Sequence, residues 1–409
     1  MEQEKKTSVV WKYLAIVLVA VTIALVVALF SLSKSKLQAV ADAAETQAVT
    51  IEETVTETMP ETESVVELTP AEAAKEYGDS ILTYWTDTAV TKNQLISYMA
   101  EITDESNPNF IPVKNRIAVF DFDGTLFCET DPNYFDYTLL VHRVLEDETY
   151  KDQASKYEKQ TAEKIVEQNE KGTSFKGLET DHGKCIASSF AGMTLGEFND
   201  YIQEFKKTPM PSYDGMLRGD GWYLPMLQII DYLKANDFTV YIISGTDRFI
   251  VRGIVDGSVL DLPMSQVIGS DESLVASGQG DEDGLTYQFT AEDKLITGGE
   301  FIIKNLKMNK VSVIAKEIGE QPVLSFGNST GDASMAEYVI TNNPYKSLAF
   351  MLCCDDLERE NGNIEKADKM YSLCTQNGWI PVSMKNDWTT IYGDNVTKKI
   401  SEEVLQKAS

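Results

Sequence analysis

RIAVFDFDGTLF, residues 116–127, joins a short run of apolar residues (Ile117–Phe120) to a turn that carries two carboxylates. Apolar and β-branched residues bounded by a Gly-containing polar turn read as a buried strand ending at Phe120. Side chains in extended backbone alternate sides, so Asp121 and Asp123, one residue apart, point the same way. Such a pair can hold Mg²⁺ through hard oxygen ligands, and it can divide the work of nucleophile and general acid.

Two further runs have the same form. FTVYII (238–243) is followed by Ser244-Gly245-Thr246, and PVLSF (322–326) by Gly327-Asn328-Ser329-Thr330-Gly331-Asp332. Short apolar runs alternating with amphipathic stretches predict an α/β fold: a Rossmann-like parallel sheet with helices on both faces. Ligands of such sheets sit at the carboxyl ends of the strands, where these loops lie. A hydroxyl and successive backbone N–H groups at Ser244, Gly245 and Thr246 form an anion site. The charged segment from about 132 to 214 lacks comparable strands and reads as an inserted helical cap.

A net charge of −28 excludes a nucleic-acid partner, because an acidic surface repels phosphate backbones. A small phosphorylated molecule remains possible, since it needs only a local positive site. Five scattered cysteines offer neither a disulfide framework nor a CxxC zinc motif, and only two histidines, His142 and His182, are present.

VFDFDGTLF resembles the first motif of haloacid dehalogenase superfamily phosphatases, and the later loops match that family's other motifs in order. The resemblance spans roughly residues 84–392, including AGMTLGEF (191–198), YLPMLQIIDYLKAND (223–237) and QVIGS (266–270). It points to the phosphoserine-phosphatase-like branch with a helical cap, in a subgroup with a GNSxGDxxM loop. It implies Asp121 as nucleophile forming an aspartyl-phosphate and Asp123 as acid/base. The implied Mg²⁺ ligands are the Asp121 carboxylate, the Asp123 carbonyl, Asn328 and Asp332. Ser244, Gly245, Thr246 and Arg252 are the implied substrate-binding residues. Of Lys304, Lys307, Lys310 and Lys316, Lys310 opens the helix leading into the next strand, where the family's catalytic lysine sits. Most relatives carry Asp where Asn328 stands, and the amide brings oxygen without charge; either Asn328 or Asp332 could touch the metal. The implied activity is Mg²⁺-dependent hydrolysis of a small phosphate ester. Phosphoserine and phosphorylcholine are candidate substrates, with Glu129, Asp131 and the cap aromatics as possible contacts. A phosphotransferase and a non-catalytic surface-binding protein are the rival readings.

From Leu14 to Leu32 the chain has no charge and only Thr22 and Ser31 as polar residues, long enough to cross a ~30 Å hydrocarbon layer as a helix. It predicts a transmembrane anchor within residues 1–36, with cleavage near Ala39-Val40-Ala41 as the alternative. Residues 37–76 read as an acidic disordered spacer, with nine acidic residues and no Lys or Arg between Leu37 and Ala74. The expectation is a single-pass cell-membrane protein whose 77–409 hydrolase domain faces outward. Oligomeric state is not legible.

Overall fold

The structure, a computed structural model, describes residues 69–399. Two helices, α1 (Pro70–Ile81) and α2 (Val90–Thr103), come first. α1 starts before the expected boundary at 77 because Thr69 caps it. Thr69 Oγ1 accepts from Glu72 N at 3.3 Å while Glu72 Oε2 accepts from Thr69 N at 2.9 Å, a reciprocal cap worth about 1 kcal/mol.

Next come β1 (Ile117–Phe120), α3 (Phe135–Val141), α4 (Lys156–Lys171), α5 (Leu178–Ser189), α6 (Leu195–Lys206) and the short β2 (Tyr213–Asp214). The chain returns through α7 (Leu224–Ala235), β3 (Thr239–Asp247), α8 (Arg248–Val255), β4 (Val267–Ala276) and β5 (Leu295–Ile303). It continues through α9 (Met308–Val313), β6 (Leu324–Gly327), α10 (Ala333–Ile340), β7 (Leu348–Cys353), α11 (Ile364–Asn377), β8 (Ile380–Ser383) and β9 (Thr397–Lys398).

Seven strands form one sheet in the order β5-β4-β3-β1-β6-β7-β8, parallel except for β5 against β4. β1 is central and buried at every residue, as its unbroken apolar run requires. Its alternate side chains enter different cores. Ala118 and Phe120 share one with Ile230 and Leu233 of α7, and Val119 shares another with Met335 and Val339 of α10. Helices therefore cover both faces. Phe120, Phe326 and Phe350 stack across β1, β6 and β7 at 4.3 and 4.8 Å, each contact adding about 0.5–1.5 kcal/mol beyond area burial.

Helices α3–α6 fall between β1 and β3, in the segment expected to be a cap, and β2 ends that segment by pairing with β9. The β4–β5 hairpin has no counterpart in the sequence reading. Its Thr297 Oγ1 donates to Phe190 O at 2.6 Å, and Gly192 N donates to Thr297 O at 2.8 Å, tying it to the end of α5.

One part of the expected fold is corrected. No helix among the described residues is long and apolar enough to cross a membrane. The run 14–32, on which the transmembrane expectation fell, lies outside the described residues, as do 1–68 as a whole.

Candidate active site

The turn after β1 is fixed by its own backbone and by aromatic packing beneath it. Asp121 N donates to Phe326 O at 2.8 Å, Leu126 N to Phe122 O at 2.8 Å, and Cys128 N to Gly221 O at 2.7 Å. Phe122 and Phe127 stack at 5.2 Å, with Trp222 edge-on to Phe127 at 5.1 Å. Gly124 has φ +72°, a left-handed backbone that a side chain would strain. The aromatic residues of this turn are core, and they hold Asp121 and Asp123 at the carboxyl end of β1.

Lys310, in α9, is fully buried. Its Nζ donates to Asp121 Oδ1 at 2.5 Å and to Asp332 Oδ1 at 2.7 Å. Asp332 Oδ2 accepts from Asn328 N (3.2 Å), Ser329 N (3.0 Å) and Ser329 Oγ (3.0 Å). Three donors thus meet Asp332 Oδ2 and one meets Oδ1, which keeps a lone pair unused. Asp123 Oδ2 accepts from Thr246 Oγ1 at 2.7 Å, and its Oδ1 is buried without a partner.

β3 runs through Ser244, Gly245 and Thr246, which were expected in a loop. Ser270 of β4 donates to Gly245 O at 2.6 Å across an irregular register and keeps the segment in the sheet. Gly245 and Thr246 line a cavity of about 600 Å³ with Asp121, Asp123, Asn328, Ser329 and Asp332. Ser244 lies beneath it, its Oγ accepting from Thr246 N at 3.0 Å. Arg252 is not in this wall: its Nε donates to Val267 O at 3.1 Å and its guanidinium covers Phe249. α8 turns it toward β4.

Burial raises the Asp121 pKa to about 6, with Asp332 adding to the shift. Burial, then Asp136 and Asp121, raise that of Asp123 well above the ordinary carboxylate value. Burial opposes the Lys310 ammonium, but Asp121 and Asp332 outweigh it and raise its pKa. The arrangement is an ionised lysine between two carboxylates beside a carboxyl that favours its proton.

The far wall of the cavity includes two of the cap aromatics, Tyr134 and Tyr137, together with residues the sequence did not single out: Asp136, the loop 172–177, and Leu306. Lys304, one of the four lysines weighed, also lines it. Glu129 is present in this wall, whereas Asp131 is buried elsewhere, accepting from Ser212 N at 2.7 Å.

Asp121 Oδ2 has only a long contact from Thr125 Oγ1 at 3.3 Å, and Asn328 adds an amide oxygen. No group of three His, Cys, Asp or Glu side chains among the described residues is arranged as a metal cluster. A site built from one carboxylate, one amide and main-chain oxygen is a hard-oxygen set that fits Mg²⁺, a cation that keeps several waters.

No curated protein sequence matches the chain. Several solved structures are similar to the chain at low identity. A conserved protein of unknown function from Anaerococcus prevotii is 14% identical, with 73% of this chain and 94% of that one covered at TM-score 0.44. Cytosolic 5'-nucleotidase IIIB bound to cytidine is 12% identical, covering 75% and 92% at 0.45. A probable phosphoserine phosphatase from Vibrio cholerae is 12% identical, covering 72% and 82% at 0.31. The description "haloacid dehalogenase-like hydrolase" matches residues 118–337, more than half of the sequence and all the loops described above, and the chain belongs to that family.

Proposed function

We propose that this hydrolase removes the phosphoryl group from a small phosphate monoester through an aspartyl-phosphate on Asp121. The observation that carries the reading is the buried Lys310 ammonium between Asp121 and Asp332, with Asp123 alongside on Thr246. Asp121 Oδ2 attacks phosphorus while the bond from phosphorus to the ester oxygen breaks. Lys310, on Oδ1, orients that attack and offsets charge on the transferring group. Asp123, holding a proton because it is buried among acids, gives it to the leaving oxygen. It then takes a proton from the water that attacks the phospho-aspartate, and inorganic phosphate leaves. Thr246 Oγ1, bound to Asp123 Oδ2, keeps Oδ1 free for both transfers.

Asp121, the main-chain carbonyl of Asp123 and Asn328 would hold Mg²⁺. The cation would supply charge neutralisation at the phosphoryl oxygens. Asp332, with one donor on Oδ1 and three on Oδ2, places Lys310 and the 328–332 loop. The 7% exposure of Asp121 and Asp123 supports a reaction shielded from bulk water.

Hydrolysis of p-nitrophenyl phosphate tests this reading. Asp121→Asn should abolish both turnover and any acid-stable phospho-enzyme. Asp123→Asn should slow turnover by about 10²–10⁴ and let the phospho-enzyme accumulate. EDTA should remove activity and Mg²⁺ restore it. Substantial turnover by Asp121→Asn would overturn the covalent route.

A further inference from the structure

Asn328 is a neutral residue in a position where cation binding calls for negative charge, and the structure places a carboxylate directly against it. A Cβ built on Gly124 would meet Asn328 Nδ2 at 1.8 Å, and Glu129 Cδ and Oε2 at 2.6 and 2.7 Å. Both side chains therefore converge on one point above the Asp121–Gly124 turn, and only glycine leaves room for them. The Glu129 backbone is anchored on either side. Cys128 N donates to Gly221 O at 2.7 Å, Thr130 Oγ1 donates to Glu360, and Asn361 Nδ2 donates to Thr130 O at 3.1 Å. With its neighbours pinned, Glu129 projects into the wall between the main cavity and a smaller one of about 220 Å³, and it lines both.

An amide has a donor end and an acceptor end, whereas an ionised carboxylate only accepts. Glu129 can therefore satisfy only Nδ2 of Asn328, which leaves Oδ1 for the other side. Asn328 N is held by Asp332 at 3.2 Å, which fixes the backbone from which the amide projects. The other charged groups facing Glu129 are Asp121, Asp332 and Lys366. Lys366 lies exposed at the rim of the smaller cavity.

We propose that Glu129 is the positioning residue of the cation site: it takes Asn328 Nδ2, turns Oδ1 toward Asp121, and lends through the amide the negative charge that Asn328 lacks. This rests on the reading of Asp121 and Asn328 as cation ligands. It parallels the carboxylates that orient metal-binding histidines, whose loss typically costs about 10–100-fold in metal affinity.

Direct binding of Mn²⁺ to the full chain, followed by electron paramagnetic resonance of the free ion, tests the proposal without reference to turnover. Glu129→Gln, which keeps shape and removes charge, should weaken Mn²⁺ by at least about tenfold. In an Asn328→Asp background the sign should invert. Glu129 then faces a carboxylate, and Glu129→Gln should leave binding unchanged or tighten it. Lys366→Met should stay within about twofold of the parent, because a solvent-exposed charge contributes little. A Glu129→Gln protein that binds within about twofold of the parent, or that loses the same factor in both backgrounds, overturns the proposal while leaving the cation reading intact. A parent chain that binds no Mn²⁺ overturns both.

Discussion

Replacing Lys310 by Met tests the electrostatic centre of the site. The side chain is 0% exposed, and its ammonium holds Asp121 at 2.5 Å and Asp332 at 2.7 Å. Met fills nearly the same volume, so packing is retained and the change isolates charge. Two buried carboxylates are then left facing each other, and breaking a buried ion pair from one side costs about 3–5 kcal/mol. The loss must depend on pH. Burial has already raised Asp121 to about 6 from 3.8, and without the lysine it rises further. A group whose folded pKa is raised loses stability as pH climbs from its unfolded toward its folded value. The gap between parent and Lys310→Met should therefore be small near pH 4 and reach its full size above about pH 7. Urea unfolding in EDTA at both ends of that range measures it, with unchanged slope showing that the same surface unfolds. Adding Asp332→Asn should recover part of the loss by removing one of the repelling charges. A deficit under about 1 kcal/mol at the alkaline end, or one that does not shrink on acidification, would refute the reasoning.

Two further predictions concern groups whose partners are visible. Thr246 Oγ1 is the protein donor to Asp123 Oδ2; Asp123 becomes charged once it has given up its proton, and a hydrogen bond to that charged form is worth about 1.5–3 kcal/mol. Thr246→Val should thus slow p-nitrophenyl phosphate hydrolysis by about 10–100-fold, and kcat within about twofold of the parent would show that the contact is idle. Glu272 of β4 is 7% exposed with neither oxygen hydrogen-bonded, and burial with Asp247 lifts its pKa from 4.5 to about 9. Its neutral form suits the fold, so stability falls as pH rises between those values. Glu272→Gln should melt close to the parent near pH 4 and progressively higher than it toward pH 9; an unchanged difference across that range would count against a buried, unpaired carboxyl.

The parts legible in the sequence are those where chemistry and backbone pattern coincide. Ile117–Phe120 is apolar because β1 is covered on both faces, and that burial is what makes the following Asp121 and Asp123 stand out. Lys310 was singled out by its place before a strand, and the structure buries it between two of the expected acids. Arg252 was legible as a residue but not as a direction. A helix distributes its side chains around the axis, and only packing against Val267 shows that this one faces β4. The β4–β5 hairpin was illegible because β5 alternates irregularly between exposed and half-buried positions, so it lacks a strand's usual hydrophobic period. Glu129 was visible as an acid near the motif. Its contact with Asn328, about 200 residues away in sequence, depends on the close approach over Gly124 that only the folded turn creates.

Charge around the reacting atoms also explains how a chain of net charge −28 can take an anionic substrate. The cavity wall carries Asp121, Glu129, Asp136, Glu179 and Asp332 against Lys176 and Lys304, with the Lys310 ammonium between Asp121 and Asp332. The site by itself is therefore acidic, and a phosphate dianion arriving there would be repelled. Lys310 cannot reverse this alone, because its one positive charge already faces both Asp121 and Asp332. The Thr246 N–H is already given to Ser244 Oγ and adds no free donor there. A divalent cation held by Asp121 and Asn328, as proposed above, would offset part of this negative charge where the phosphate enters. On this reasoning substrate affinity and cation affinity are coupled, each strengthening the other by the same factor.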